Sequence, residues 1–210
     1  LLELKGRERV LEIGAGSVVG PHVVIGGHTT IGKGNRFFQF SSIGEIPQDK
    51  KYKGEPTQLI IGDNNTIRES CTLNLGTVQD GGVTSIGSDN WIMAYVHVAH
   101  DCHIGDHNVI ANAVQFAGHV TVGKRTLIGG MTGIHQFVRI GAHSFTAMGT
   151  ILLQDLPPFV TAAGNPAEPR GINAEGLKRR GYSAAAIAAI KRAFKTLYKS
   201  GMKLEEARAT

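Results

Sequence analysis

Cysteine is scarce in this chain of 210 residues: Cys71 and Cys102 are the two, and they lack a CxxC spacing. That is too few for a disulfide framework and leaves two reduced, inert thiols. Charged residues are sparse too, 19% of the sequence against about 25% in an ordinary globular protein. No apolar run approaches the 18 residues of a membrane span, and no basic, apolar, small-residue leader opens the sequence. A soluble, cytosolic protein without a membrane span is therefore expected. What the chain does have is glycine, 28 residues in a mass of 22.4 kDa. That mass suits one large domain with at most a small appendage, built with many tight corners.

The net charge of +5 is local. Lys178, Arg179, Arg180, Lys191, Arg192, Lys195 and Lys199 cluster near the C-terminus, which suits the docking of an acidic partner rather than nucleic acid wrapping the whole body.

A repeat of six organises the rest. Aliphatic or aromatic residues stand at Ile13, Val19, Ile25, Ile31, Phe37 and Ile43, resume at Ile61, Ile67 and Leu73, and run again from Ile86 through Ile92, Val98, Ile104, Ile110, Phe116, Val122, Ile128 and Ile134 to Ile140. Six fits neither the 3.6 of a helix nor plain strand alternation. It fits short flat strands joined by turns, one inward aliphatic per strand, in a parallel β-helix of hexapeptide repeats. Three hexads close one triangular coil, so residues 18 apart stack. Known solenoids of this kind wind left-handed, against the usual crossover rule. Glycine after the inward residue is expected to let each corner turn tightly.

The register breaks twice. Between Ile43 and Ile61 the inward positions fall on Asp49 and Glu55, so residues 45–58 must loop out. Between Leu73 and Ile86 the sequence GTVQDGGVT carries turn chemistry, predicting a second loop over 75–84. Long excursions in a compact solenoid are usually functional. The β-helix is thus predicted over 11–153. Pro157, Pro158, Pro166 and Pro169 read as an extended linker over 154–172, and helices as the C-terminal region 173–210. Ser183 is a plausible N-cap for a helix whose apolar face is Ile187, Ile190, Phe194 and Leu197 and which ends near Gly201.

Four histidines, His97, His100, His119 and His135, fall within three consecutive coils. His100, Gly118 and Gln136 are 18 apart in succession and form one column; Asp101 and His119 stand in the adjacent one. Two chemistries can use such an edge. A neutral imidazole beside a carboxylate, as His100 is beside Asp101, is a general base with its tautomer fixed. Three imidazoles can instead hold zinc with one position open for water, as in trimeric solenoids resembling the gamma-class carbonic anhydrases. Spacing alone leaves both open.

The segments PQDKKYKGEPT (47–57), HVAHDCHIGDHNVIANAVQFAGHV (97–120), IGGMTGIHQF (128–137) and EGLKRRG (175–181) closely resemble the bacterial acyl-carrier-protein–UDP-N-acetylglucosamine O-acyltransferases, which start lipid A synthesis. The likeness runs from about residue 11 to 207 and includes both loops. It implies a homotrimer with sites between neighbouring solenoids, moving a 3-hydroxyacyl chain from acyl carrier protein to the 3-hydroxyl of UDP-N-acetylglucosamine without a metal or other cofactor. By the same resemblance His100 matches the general base, Asp101 its orienting carboxylate, and Gly118 the backbone donor to the oxyanion. His97, His119 and His135 match histidines lining the cleft. Asp49, Lys51 and Tyr52 match sugar-nucleotide contacts, and Gln136, Asn173, Glu175, Arg179 and Arg180 match contacts to sugar, uridine or phosphates. Met148 matches the position that ends the acyl groove, where members taking long chains have glycine, so a donor of about ten carbons is expected.

Three features depart from the family pattern. Residues 1–10 do not scan as hexads, the C-terminal helices stop early, and Asn74 stands where the family usually has histidine. The last leaves open whether the acceptor is glucosamine or its 3-amino analogue.

Overall fold

One inward aliphatic per six residues can be buried only if the chain turns after every short strand. The computed structural model describes residues 11–209 and is a left-handed parallel β-helix of triangular section followed by short helices; the non-hexad stretch 1–10 lies outside the described residues. Its three faces are sheets of seven, nine and seven strands. The first face climbs from Leu11–Ile13 to Arg139–Ile140, the second begins at Val18–Val19, and the third climbs from Val24–Ile25 to Ile151–Leu152. In the regular region strand partners are 18 residues apart: Ser85 pairs with His103, Trp91 with Val109, His97 with Gln115. The inward column from Ile86 to Ile140 is accordingly buried throughout.

Strands of two residues form few ladder bonds, so the corners carry much of the stacking. At the edge between the first and second faces, buried Asn35, Asn65, Asn90 and Asn108 form a ladder. Asn65 Oδ1 accepts from the Asn90 backbone N–H at 2.9 Å and from its Nδ2 at 3.0 Å. Asn65 Nδ2 donates to Asn35 Oδ1 at 3.0 Å and to the Gly87 carbonyl at 2.9 Å. Each amide thus satisfies polar groups of the coils above and below, which would otherwise be orphaned in the interior.

The corners assign glycine a role other than the expected one. Left-handed backbone at the turns is taken mostly by other residues, among them Asp89, Asp101, His119, Arg125 and His143 at φ of about 60°. Apart from Gly44 at φ 75°, the glycines after inward residues do not have positive φ; they are required by close approach. A Cβ on Gly123 would meet Ala142 N at 2.6 Å, and one on Gly105 would meet Gly123 C at 3.1 Å. These glycines let one coil lie on the next.

Both register breaks leave from the same edge, between the third and first faces. Across the first, partners are 30 apart (His28 with Gln58, Ser42 with Thr72); across the second they are 25 apart (Thr72 with His97, Gln58 with Val83). The insertions add 12 and 7 residues to an 18-residue coil, by subtraction from those pairings. The second includes a one-turn 3-10 helix, Val78–Asp80.

Residues 154–172, expected as an extended linker, form a hairpin instead. Val160–Ala163 adds parallel to Phe145–Thr146, and Glu168–Ile172 turns back antiparallel on it as the outermost strand of the second face. Proline is tolerated at such an edge, where no further strand needs its missing N–H. Three helices follow: α1 (Ala174–Arg179), α2 (Ala184–Lys199) and α3 (Leu204–Arg208). Ser183 caps α2 by accepting from Ala186 N at 3.1 Å, Gly201 follows it at φ 77°, and Phe194 is buried against the solenoid core.

Replacing Asn65 by alanine removes four hydrogen bonds and leaves the buried Asn90 N–H without its acceptor. We expect a loss of about 3 kcal/mol, read as a lower denaturation midpoint with unchanged far-UV circular dichroism.

Candidate active site

His100 and Asp101 occupy the edge between the third and first faces, directly above the two excursions. Asp101 is fully buried, and its turn conformation (φ 58°) aims the carboxylate inward beneath His100. His100 Nδ1 lies 2.8 Å from Asp101 Oδ2. Thr77, in the second excursion, donates its backbone N–H to Asp101 Oδ1 at 2.7 Å and its hydroxyl to Oδ2. The Asp101 backbone N–H is in turn bound by Thr84 Oγ1 at 2.8 Å. Thr77 supplies two donors to this carboxylate, and a carboxylate oxygen accepts from a ring N–H, so the contact at Nδ1 leaves Nε2 of His100 as the nitrogen free to take a proton. Gly76 must lack a side chain here, because its Cβ would stand 2.8 Å from Asp101 Oδ1.

Gly118, one coil up, lies over the imidazole: a Cβ there would meet His100 Nε2 at 2.8 Å. Among the described residues no group accepts from its N–H. The column read from 18-residue spacing thus brings a basic nitrogen and a free amide donor to one point.

His119 stands beside them, edge-on to His100 at 5.0 Å between ring centroids and stacked on Phe137 at 4.4 Å. Its Nδ1–H donates to Asp80 Oδ2 at 2.8 Å. His97 and His135 sit on the third face, His97 in the coil of His100 and His135 two coils up. His97 Nδ1 contacts Thr72 Oγ1 at 2.7 Å; burial, and secondarily His100, pushes its basicity below the usual histidine range. His135 Nδ1–H donates to the Gln136 carbonyl at 3.1 Å, and Gln136 itself is exposed.

Two hollows flank this edge. One, about 580 Å³ on the first face, is lined by Asp49, Lys51, Thr77, Asp80, His119 and Phe137 among others. The second, an apolar groove of about 420 Å³ on the third face, runs past His97, Ala117, Gly133 and His135 to Ile151 and Leu153. Tyr52 turns back into its own loop, donating to the Glu55 carbonyl at 2.8 Å. Met148 is 77% exposed at the edge between the second and third faces.

The remaining candidates lie elsewhere. Asn173 caps α1, accepting from Gly176 N at 3.1 Å and donating to the His143 carbonyl at 3.0 Å. Glu175 and Arg179 pair along α1 at 3.3 Å. Arg180 has a buried Nη1 with no acceptor among the described residues. This group docks on the edge between the first and second faces, whereas His100 stands on the edge between the third and first. A single chain does not bring the two groups together.

His100, Asp101 and His119 are close enough to be considered as metal ligands. Their donors argue otherwise: Asp101 is saturated by Thr77 and His100, and the Nδ1 of each imidazole is spent on a carboxylate. Among the described residues, three free imidazoles, as a zinc hydratase needs, do not converge. The cysteines are not nucleophiles either, since burial pushes Cys71 up to about 11 and Cys102 up to about 12.

Thr77 and Asp80 carry no motif that marks them in the sequence. Their signal is arithmetic: once the seven-residue insertion is counted, Gly76 is the register equivalent of Asp101, so GTVQD begins under the His100 corner.

Residues 84–118 match the family described as bacterial transferase hexapeptide (six repeats), and residues 155–210 match UDP N-acetylglucosamine O-acyltransferase, domain 2. With a histidine–aspartate couple on a solenoid edge, these define a hexapeptide-repeat acyltransferase. The chain is 62% identical over 95% of its length to the acyl-(acyl-carrier-protein)–UDP-N-acetylglucosamine O-acyltransferase of Herminiimonas arsenicoxydans, of which it covers 80%. It superposes on the LpxA structure from Acinetobacter baumannii with a TM-score of 0.91 at 50% identity, covering 93% of this chain and 76% of that one. For the UDP-N-acetylglucosamine acyltransferase of Campylobacter jejuni the TM-score is 0.88 at 42% identity, covering 94% and 76%. The chain belongs to the acyl-(acyl-carrier-protein)–UDP-N-acetylglucosamine O-acyltransferase family.

Proposed function

We propose that the chain transfers a 3-hydroxyacyl group from acyl carrier protein to the 3-hydroxyl of UDP-N-acetylglucosamine, the first step of lipid A synthesis, in the cytoplasm. The observation that carries this reading is the Thr77–Asp101–His100 relay with the free Gly118 N–H above its open nitrogen. His100 Nε2 takes the proton of the acceptor hydroxyl as its oxygen attacks the thioester carbonyl. The oxyanion accepts from Gly118 N–H, and Asp101 stabilises the imidazolium. Collapse expels the carrier's thiolate, which recovers the proton from His100.

The third-face groove suits the acyl chain, and the first-face hollow with Asp49 and Lys51 suits the sugar nucleotide. Exposed Arg192, Lys195 and Lys199 on α2 suit an acidic carrier protein. Arg180 and its neighbours on the far edge meet such a ligand only if another copy stands alongside. That supports a homotrimer with sites shared between neighbours, as do Phe40, Tyr95 and Met131, 63–66% exposed in a row at the edge between the second and third faces.

His100→Ala should lower transfer by about 10²–10⁴-fold while the fold persists, measured with UDP-N-acetylglucosamine and acyl carrier proteins of several chain lengths. Asp101→Asn should cost less; residual turnover above about a tenth in His100→Ala removes it as the base. A mixture of inactive His100→Ala and Arg180→Ala chains, unfolded and refolded together, should regain activity in mixed trimers. No recovery means the two residues serve one site within a chain. Met148→Gly should shift donor preference from about ten carbons toward fourteen, since each accommodated methylene contributes about 0.8 kcal/mol. An unchanged profile puts the end of the groove elsewhere.

A further inference from the structure

The active edge carries a second histidine–carboxylate couple beside the first. His119 Nδ1 lies 2.8 Å from Asp80 Oδ2 and 3.9 Å from Asp101 Oδ2, so both carboxylates face the same ring nitrogen. Stacking on Phe137 and the edge contact with His100 fix the plane of the ring. Nε2 has no partner among the described residues, and both His119 and Asp80 line the first-face hollow that also holds Asp49 and Lys51.

Asp80 is not a stray surface charge. It ends the 3-10 turn Val78–Asp80, its backbone N–H donates to the Thr77 carbonyl at 3.2 Å, and Gly81 and Gly82 follow it at φ 76° and 77°. Thr77, at the other end of the same turn, holds Asp101. One short segment thus presents a hydroxyl and amide to the first couple and a carboxylate to the second.

We infer that Asp80 is a positioning residue for the acceptor: it holds the His119 proton on Nδ1 and so turns Nε2 to the sugar nucleotide, while His100 and Asp101 carry out the proton transfer. A ring nitrogen's state is set by the bond its partner nitrogen makes, and Asp80 makes that bond. This rests on the proposed transferase reading, and concerns the affinity for the acceptor rather than the chemical step.

The test is Asp80→Asn, which keeps size and removes the charge, with Asp80→Glu as the conservative variant. The KM for UDP-N-acetylglucosamine should rise about fivefold with kcat within about twofold, the size suited to a charge-assisted bond with one partner half in solvent. Asp80→Glu should recover most of it. On a His119→Ala background, Asp80→Asn should add nothing, because it acts through a ring that is no longer there. Side-chain nitrogen NMR of histidine-labelled protein at about pH 8, where free histidine is neutral, should assign His119 the Nδ1-protonated form in the wild type and lose it in Asp80→Asn. A fall in kcat with KM unchanged, a full effect in the His119→Ala background, or an NMR signature indifferent to Asp80 each overturns the inference. If the wild type transfers nothing to UDP-N-acetylglucosamine, the transferase reading falls and the NMR arm still decides the role of Asp80.

Discussion

The spacing between coils, about 4.8 Å between hydrogen-bonded strands, governs this molecule. Backbone bonds from each turn to the next, such as His119 N to the His100 carbonyl at 3.0 Å and Phe137 N to the Gly118 carbonyl at 3.1 Å, hold that distance at the active edge. The column containing His100 and Gly118 has its geometry from this spacing and not from a dedicated loop. On the proposed reading, a basic nitrogen and a backbone donor one strand spacing apart serve acyl transfer from a frame too regular to relax when charge develops.

The period of six made the solenoid legible, because each inward aliphatic is forced by burial and nothing else explains ten in a row. The excursions were legible for the converse reason, since Asp49 and Glu55 cannot point into a core of isoleucine. The hairpin at 160–172 was not. Its prolines carry the same local signal in a linker and in an edge strand, and only the neighbouring strand distinguishes the two. Glycine differs from the expectation in mechanism: its usual licence is left-handed backbone, whereas at most of these corners residues such as Asp, His and Arg take the left-handed turns and the glycine after the inward residue yields room to the neighbouring coil. His100, Asp101 and Gly118 could be brought together by counting. Thr77 and Asp80 needed the seven-residue insertion placed in three dimensions.

The excursions leave successive coils at the edge His100 occupies. A plain solenoid is convex at every corner and offers a reacting group no walls. By widening two coils below the one that carries His100, the chain raises Lys51 and Asp49 from one insertion and Thr77 and Asp80 from the other around that corner. The cost in chain entropy grows slowly with loop length, so a rigid frame can carry long loops where the chemistry is.

The hairpin has a further consequence at the upper end of the stack. A parallel solenoid ends in a ring of open strand edges, onto which another such end could add and grow into a fibre. Here the last strand of the second face runs antiparallel and carries Pro169. On the first face the strand Arg139–Ile140 is met by Leu156 and then by Pro157 and Pro158, while the Ala167 N–H takes up the Ile151 carbonyl on the third. Reversal of direction and proline are the devices by which sheets avoid templated polymerisation. The segment that opens the helical tail thus also makes the stack finite in that direction, keeping a structure built from near-identical layers from extending itself through its neighbours.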